Sequence, residues 1–127
     1  QDDAGAIRDF DRVLDLAPNH AQAYLYRARA KVAVGDPEGA TSDCTRAIAL
    51  EPKMAGAYYW RANARARLRD IDGAIDDYTQ TVRFKPDYAE AYFDRAALRM
   101  GRKDPTCAEA LVSSPFVVAS GLRMRLC

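Results

Sequence analysis

Between residues 55 and 68 the chain carries two stripes of side chains at helical spacing. A helix turns about 100° per residue, so positions four and seven apart share a face. Ala57, Arg61, Ala64 and Leu68 form one stripe, mostly apolar, which should face a neighbouring helix. Gly56, Trp60, Asn63 and Arg67 form the other, at i, i+4, i+7 and i+11. The pattern recurs along the chain. It predicts helix pairs over 21–34 with 37–50 and 55–68 with 71–84, and a lone helix over 89–101.

The recurrence has one constant period. Pro18, Pro52 and Pro86 are evenly spaced, and Tyr24, Tyr58 and Tyr92 share the same interval. Alanines follow at Ala6, Ala40, Ala74 and Ala108, with a second set at Ala28, Ala62 and Ala96. Aspartates follow at Asp2, Asp36, Asp70 and Asp104. Each type has a physical task. An aspartate just before a helix accepts orphan backbone N–H groups and meets the positive end of the dipole. Pro37 and Pro105 come next, at the first helical position, where proline is tolerated. Small alanines let two helices approach where they cross, and the later prolines stop the second helix. Each unit therefore reads as helix, turn, helix, stop.

These features resemble the tetratricopeptide repeat family, whose unit has an aromatic early in its first helix, small residues at the crossing and a closing proline. The segments "AYLYRARAKVAVGDPEGATSDCTRAIALEP" (23–52) and "AYYWRANARARLRDIDGAIDDYTQTVRFKP" (57–86) carry the resemblance along their length. It implies an all-α fold, a right-handed α-solenoid of antiparallel helix pairs. The expected organisation is one domain over 1–127. Residues 1–18 supply the second helix of a partial repeat, 21–54 and 55–88 are full repeats, 89–113 is a degenerate repeat, and 114–127 is a tail or cap. Pro115 falls where the repeat expects mid-helix, so the last helix should be short, about 106–113. The apolar residues Phe116, Val117, Val118 and Leu122 favour docking of the tail. Gln1 stands within the helical pattern, and the sequence reads as a piece of a longer repeat protein. Exposed repeat ends, or the tail, are then expected routes to self-association.

The chain departs from the family in its first helices. A leucine and a later tyrosine give way to Arg27, Arg61 and Arg95, then to Lys31, Arg65 and Arg99. Asp9, Asp43 and Asp77 recur at the same period in the second helices. They predict a structural Arg–Asp ladder with two registers open. One joins Asp9–Arg27, Asp43–Arg61 and Asp77–Arg95 across units. The other joins Arg27–Asp43 and Arg61–Asp77 within them. Lys31, Arg65 and Arg99 are expected to be solvated or paired, and Arg69 to be turn surface.

The resemblance also implies a concave groove lined by the first helices. Its partner-binding residues here would be Gln22, Leu25, Tyr26, Arg29, Tyr59, Trp60, Asn63, Arg67, Glu90, Phe93, Asp94 and Ala97. Ala33 and Gly101 complete the stripes. Some family members clamp the carboxylate of chaperone tails with lysines, asparagines and an arginine. The matching positions are Leu25, Arg29, Trp60, Glu90 and Asp94, so no such clamp is expected. The asparagine ladder of another subset would fall on Tyr26, Trp60 and Asp94, and is not expected either. What remains is an aromatic centre with cations on one side and acids on the other. It fits a protein or peptide with one apolar anchor and a polar or acidic flank.

Composition narrows the classes further. Nineteen basic and eighteen acidic side chains leave a net charge of +1. That is no basic excess for a nucleic-acid ligand. No apolar run reaches the ~18–20 residues of a membrane span. Cys44, Cys107 and Cys127 are odd in number, match no zinc spacing and gain no familiar metal site from His20, so no metal or other cofactor is expected. Reduced thiols lean towards the cytoplasm without fixing the compartment. No nucleophile with a base and no phosphate loop is present, so the chain is read as non-catalytic. The leading class is a protein–protein interaction scaffold. A regulatory or targeting domain of a larger enzyme and an RNA-binding helical repeat stay open as alternatives.

Overall fold

The computed structural model describes residues 2–101. Six helices run in order: α1 (Asp3–Leu16), α2 (Ala21–Val34), α3 (Pro37–Leu50), α4 (Ala55–Arg67), α5 (Ile71–Phe84) and α6 (Ala89–Gly101). The expected helix over 106–113 and the docking of 114–127 lie outside the described residues. The fold is an all-α, right-handed solenoid of antiparallel pairs. α2 packs on α3, and α4 on α5. α3 and α4 join the pairs, α1 lies on α2, and α6 on α5.

The sequence period is visible as repeated bonds. Asp2, Asp36 and Asp70 cap α1, α3 and α5, each accepting from the backbone N–H of a glycine, Gly5, Gly39 and Gly73 (2.9, 3.0 and 3.0 Å). Those glycines leave room for the carboxylate, which a Cβ would strike. The hydroxyls of Tyr24 and Tyr58 each donate to the carbonyl of the preceding proline, Pro18 and Pro52, at 3.1 Å. The aromatic of the first helix thus ties it to the turn that precedes it. His20 caps α2 through Nδ1, which accepts from Ala23 N–H at 3.1 Å.

Helix α4 stops at Arg67, just short of the expected end at Leu68. Leu68 caps it and is exposed, so it drops out of the apolar stripe that buries Ala57 and Ala64. The cause is the turn. Arg69 takes a left-handed φ of 67°, and Gly35, its mate in the preceding unit, takes 87°. At Gly35 the turn closes with Asp36 N–H donating to the Lys31 carbonyl at 2.8 Å. Space beside Gly35 is open, so only its backbone conformation resists a side chain. Gly35→Ala should therefore cost about 1 kcal/mol, read as a lower urea midpoint with unchanged slope.

The core forms in two parts. One joins Ala28, Val32, Ala40, Cys44 and Ala64 from α2, α3 and α4. The other joins Tyr59, Ala62, Ala66, Ala74, Ile75, Tyr78, Ala91 and Leu98 from α4, α5 and α6. Trp60 packs against both. Within the two pairs the crossing alanines Ala28, Ala40, Ala62 and Ala74 are fully buried, as small residues at close helix contacts should be.

Candidate functional site

A repeated ion-pair geometry within the pairs joins the helices that carry the expected groove residues. Arg27 grips Asp43 with a two-pronged fork, Nε to Oδ2 at 2.8 Å and Nη2 to Oδ1 at 2.7 Å. Arg61 grips Asp77 in the same way, both bonds at 2.9 Å. The register is the one within pairs. A second cation joins each carboxylate: Lys31 lies 3.0 Å from Asp43 and Arg65 2.8 Å from Asp77. The third guanidinium nitrogen reaches back across the units. Arg27 Nη1 meets Asp11 at 2.8 Å, Arg61 Nη1 meets Thr45 at 3.4 Å and Arg95 Nη1 meets Thr79 at 3.1 Å. Asp11, Thr45 and Thr79 recur at the repeat period too, a sequence signal that lies outside the Arg–Asp ladder.

The across-unit ladder is corrected accordingly. Asp9 is exposed, and Arg27 takes Asp11 instead, on the side of α1 that faces α2. The fork joins a first helix to the second helix of its own pair, and α1 has no such first helix beside it among the described residues. Arg95 has no carboxylate partner among the described residues. It lies over the Tyr92 ring at 5.4 Å, as Arg27 lies over Tyr24 and Arg61 over Tyr58.

The expected groove residues separate into two sets. Tyr59, Asn63, Asp94 and Ala97 are buried. The Tyr59 hydroxyl donates to Asp94 Oδ2 at 2.8 Å, and the Tyr78 hydroxyl donates to Asn63 Oδ1. These groups satisfy one another inside the α4–α5–α6 core, so they are not groove surface. The reason is Tyr78. It stands where the preceding pair has Cys44, and its bulk and hydroxyl draw a polar partner inward. Burial pushes the Asp94 carboxyl up to about 6, the nearby Glu90 charge adds to this, and the Tyr59 hydrogen bond opposes it. Burial likewise raises the Tyr59 and Tyr78 phenols. It pushes the Cys44 thiol up to about 12 against the pull of Arg61, so Cys44 is a packing thiol and a poor nucleophile.

The other set stays accessible. Gln22, Tyr26, Arg29, Glu90 and Phe93 are exposed, and Leu25, Trp60 and Arg67 are half-buried. Leu25 packs over Gly56, where a Cβ would lie only 3.2 Å from it. Tyr26, Arg29, Trp60 and Arg67 meet at one cavity of about 420 Å³. Asp3, Ala6 and Phe10 of α1 and Ala30, Val32 and Ala33 of α2 complete its wall. The helical pattern alone does not bring α1 to this wall. Phe10 stacks with Tyr26 at 6.2 Å between ring centres. The Arg29 guanidinium lies over the Trp60 ring at 5.6 Å. Arg67 Nη1 donates to the Val32 carbonyl at 3.3 Å, and its buried Nε has no hydrogen-bond partner among the described residues. Glu90 and Phe93 lie outside this cavity wall.

Among the described residues no helix is long and apolar enough to cross a membrane. A family profile described as "Tetratricopeptide repeat" matches residues 27–89. Comparison with curated proteins gives no match. Several solved structures are similar. The first tetratricopeptide domain of Spaghetti (RPAP3), bound to the HSP90 peptide SRMEEVD, is 26% identical. That match covers 77% of this chain and 78% of that one, with a TM-score of 0.75. The second such domain of human RPAP3, in complex with the HSP70 peptide SGPTIEEVD, is 25% identical over 73% of this chain and 78% of that one, with a TM-score of 0.70. MamA is 26% identical over 87% of this chain and 67% of that one, with a TM-score of 0.73. Repeat period, capped helix pairs, family profile and solved neighbours agree, and the chain belongs to the tetratricopeptide repeat family.

Proposed function

We propose that this chain is a non-catalytic interaction scaffold whose concave groove binds a peptide segment, with one apolar side chain anchored between Tyr26 and Trp60 and an acidic flank against Arg29 and Arg67. The observation that carries the reading is the cavity of about 420 Å³ where these four side chains converge. Its chemistry is specific. Aromatic faces with adjacent guanidiniums make binding hot spots, because they bury large area at low entropy cost and keep a charge for orientation. The buried Arg67 Nε is a donor in want of an acceptor, and a peptide carboxylate or carbonyl supplies one. Two solved neighbours hold acidic peptides, which supports a peptide as the class of ligand. This mode is not the chaperone-tail clamp, since Leu25, Trp60, Glu90 and Asp94 stand at its matching positions.

Trp60 is the only tryptophan, so its fluorescence reports the groove directly. Titration with an acidic peptide carrying one phenylalanine should shift that emission saturably. A lysine-substituted version should bind far more weakly. In a competition assay Trp60→Ala should lose about 2 kcal/mol or more of affinity, roughly thirtyfold. Arg67→Met should lose less, and should abolish the preference for the acidic flank. Because Trp60 also packs on both core parts, each variant is checked by its thermal melt. Unchanged affinity in a folded Trp60→Ala would refute the groove reading. Tighter binding of SRMEEVD than of the phenylalanine peptide would replace it with the clamp.

A further inference from the structure

Arg67 is placed differently from the arginines that repeat. Arg27 and Arg61 recur at the repeat period, and each sets its Nε–Nη2 edge against a carboxylate, Asp43 or Asp77, at 2.7–2.9 Å. Arg67 has no counterpart. Ala33 and Gly101 stand at its place in the neighbouring units, so the repeat architecture does not call for a cation there. Its Nη1 donates to the Val32 carbonyl near the end of α2, which ties the guanidinium across the joint between two units. The Nε–Nη2 edge is left over. Nε is shut off from solvent and has no hydrogen-bond partner among the described residues, and neither has Nη2. Arg67 makes no ion pair among them, although Asp3 lines the same cavity. A buried donor without an acceptor carries an uncompensated desolvation cost, which an incoming acceptor removes. Arg29, the other cation of the cavity, has its guanidinium over the Trp60 ring. Arg29, Val32, Trp60 and Arg67 all sit on α2 and α4, and each of these helices packs between described neighbours.

We infer that Arg67 sets the specificity of the groove by taking one carboxylate of the bound peptide across its Nε–Nη2 edge, as Arg27 and Arg61 take Asp43 and Asp77. This contact presupposes the peptide groove proposed above and narrows its acidic flank to a single two-pronged bond. The two nitrogens of this edge match the two oxygens of a carboxylate, so the contact selects by geometry as well as by charge. A lysine is a point charge and offers no such edge. An amide in the ligand's place turns its NH2 towards one of the two donors and breaks half of the fork. The bond to Val32 holds the guanidinium in place before the ligand arrives, which lowers the ordering cost of binding.

Isothermal titration calorimetry with two capped peptides tests this. Both are acetylated and amidated and carry one phenylalanine, with a glutamate beside it in one and a glutamine in the other. Wild type should favour the glutamate peptide at least about tenfold. Arg67→Met should bring that ratio to about one, and Arg67→Lys, which keeps the charge, should recover no more than about threefold. Arg29→Met should keep most of the preference. A glutamine peptide with a free C-terminus separates the two sources of a carboxylate, since tightening that depends on Arg67 would place the same contact at a chain end. Tighter binding of a phosphoserine peptide than of the glutamate peptide would overturn the assignment to a carboxylate. Thermal melts accompany each variant, because Arg67 also ties α4 to α2. If that tie were its whole role, Arg67→Met would weaken both peptides alike and leave their ratio at the wild-type value. That result overturns the inference, as does a full preference in Arg67→Lys, or one lost in Arg29→Met and kept in Arg67→Met. Saturable wild-type binding without a preference refutes the Arg67 contact and leaves the groove standing. No saturable binding of either peptide refutes both.

Discussion

Asp77→Leu should destabilise the protein by about 3–5 kcal/mol, one of the largest losses available from a single polar side chain here. The Asp77 side chain is 4% exposed, and its two oxygens accept from Arg61 Nε and Nη2 and from Arg65 Nη1 at 2.8–2.9 Å. Taking the carboxylate away leaves two guanidiniums facing each other in a partly dry site. Most of the cost is that residue of unpaired charge and not the intrinsic worth of the pair. The test is therefore a cycle. Urea unfolding of wild type, Arg61→Met, Asp77→Leu and the double variant should give a coupling of roughly 2 kcal/mol or more. Arg61→Met with Asp43→Leu should couple much more weakly, because Asp43 is held by Arg27 and Lys31. Adding Arg65→Met to the first double should recover further stability, since no stranded cation remains. Added salt should change the first coupling little, as the pair is shielded from the ions that screen surface charges. A coupling near zero would mean that the forks are incidental to stability.

The helices were legible because their signals are local and repeat. Capping aspartates, crossing alanines and stopping prolines each act within a turn or two of their own position. Three or four copies of each in one register leave few alternatives. The arginines and aspartates were legible as a set but not as pairs. Both registers satisfy the period, and the choice between them depends on which helix lies nearer, a tertiary fact. The structure uses both directions at once: the fork goes forward to Asp43 or Asp77, and the spare nitrogen goes back to Asp11, Thr45 or Thr79.

The cavity of the candidate site was half legible. Tyr26, Arg29, Trp60 and Arg67 meet as their helical spacing suggested. Tyr59, Asn63 and Asp94 share the same helices yet turn into the core. Helical phase assigns a residue to a side, but burial there depends on the neighbouring side chains. Placing Tyr78 where the preceding pair has the small Cys44 changes what its neighbours must do. The phenol is too large and too polar to bury alone. Asn63 Oδ1 accepts its hydrogen bond, and a second buried bond, Tyr59 to Asp94, lies beside it. No single-residue propensity carries that information, because the cause lies on a different helix.

Asp94→Asn should make the protein more stable at neutral pH and change its response to acid. The folded carboxyl titrates at about 6, against an ordinary 3.8, because burial disfavours its charged form. Its protonated form is therefore the one the fold prefers. The stabilising contribution is fully present below pH 3.8 and is lost as the pH rises through about 6. A displacement from 3.8 to about 6 corresponds to roughly 3 kcal/mol, at about 1.4 kcal/mol per decade in acidity. Asparagine keeps a carbonyl oxygen for the Tyr59 hydroxyl and cannot ionise. Its amide protons need acceptors of their own, which reduces the gain by about 1 kcal/mol. Near pH 4 the variant should thus be equal to wild type or slightly weaker. Near pH 8 it should be ahead by about 2 kcal/mol. Urea midpoints at both pH values supply the comparison, and the quantity that matters is how the difference between the two proteins changes. Glu90→Gln, which removes the neighbouring like charge, should move the wild-type transition to lower pH while leaving the asparagine variant flat. If the difference between wild type and Asp94→Asn stays constant from pH 4 to pH 8, the carboxylate is not held in a dry site. The Tyr59–Asp94 bond would then be a surface contact that any polar side chain could replace.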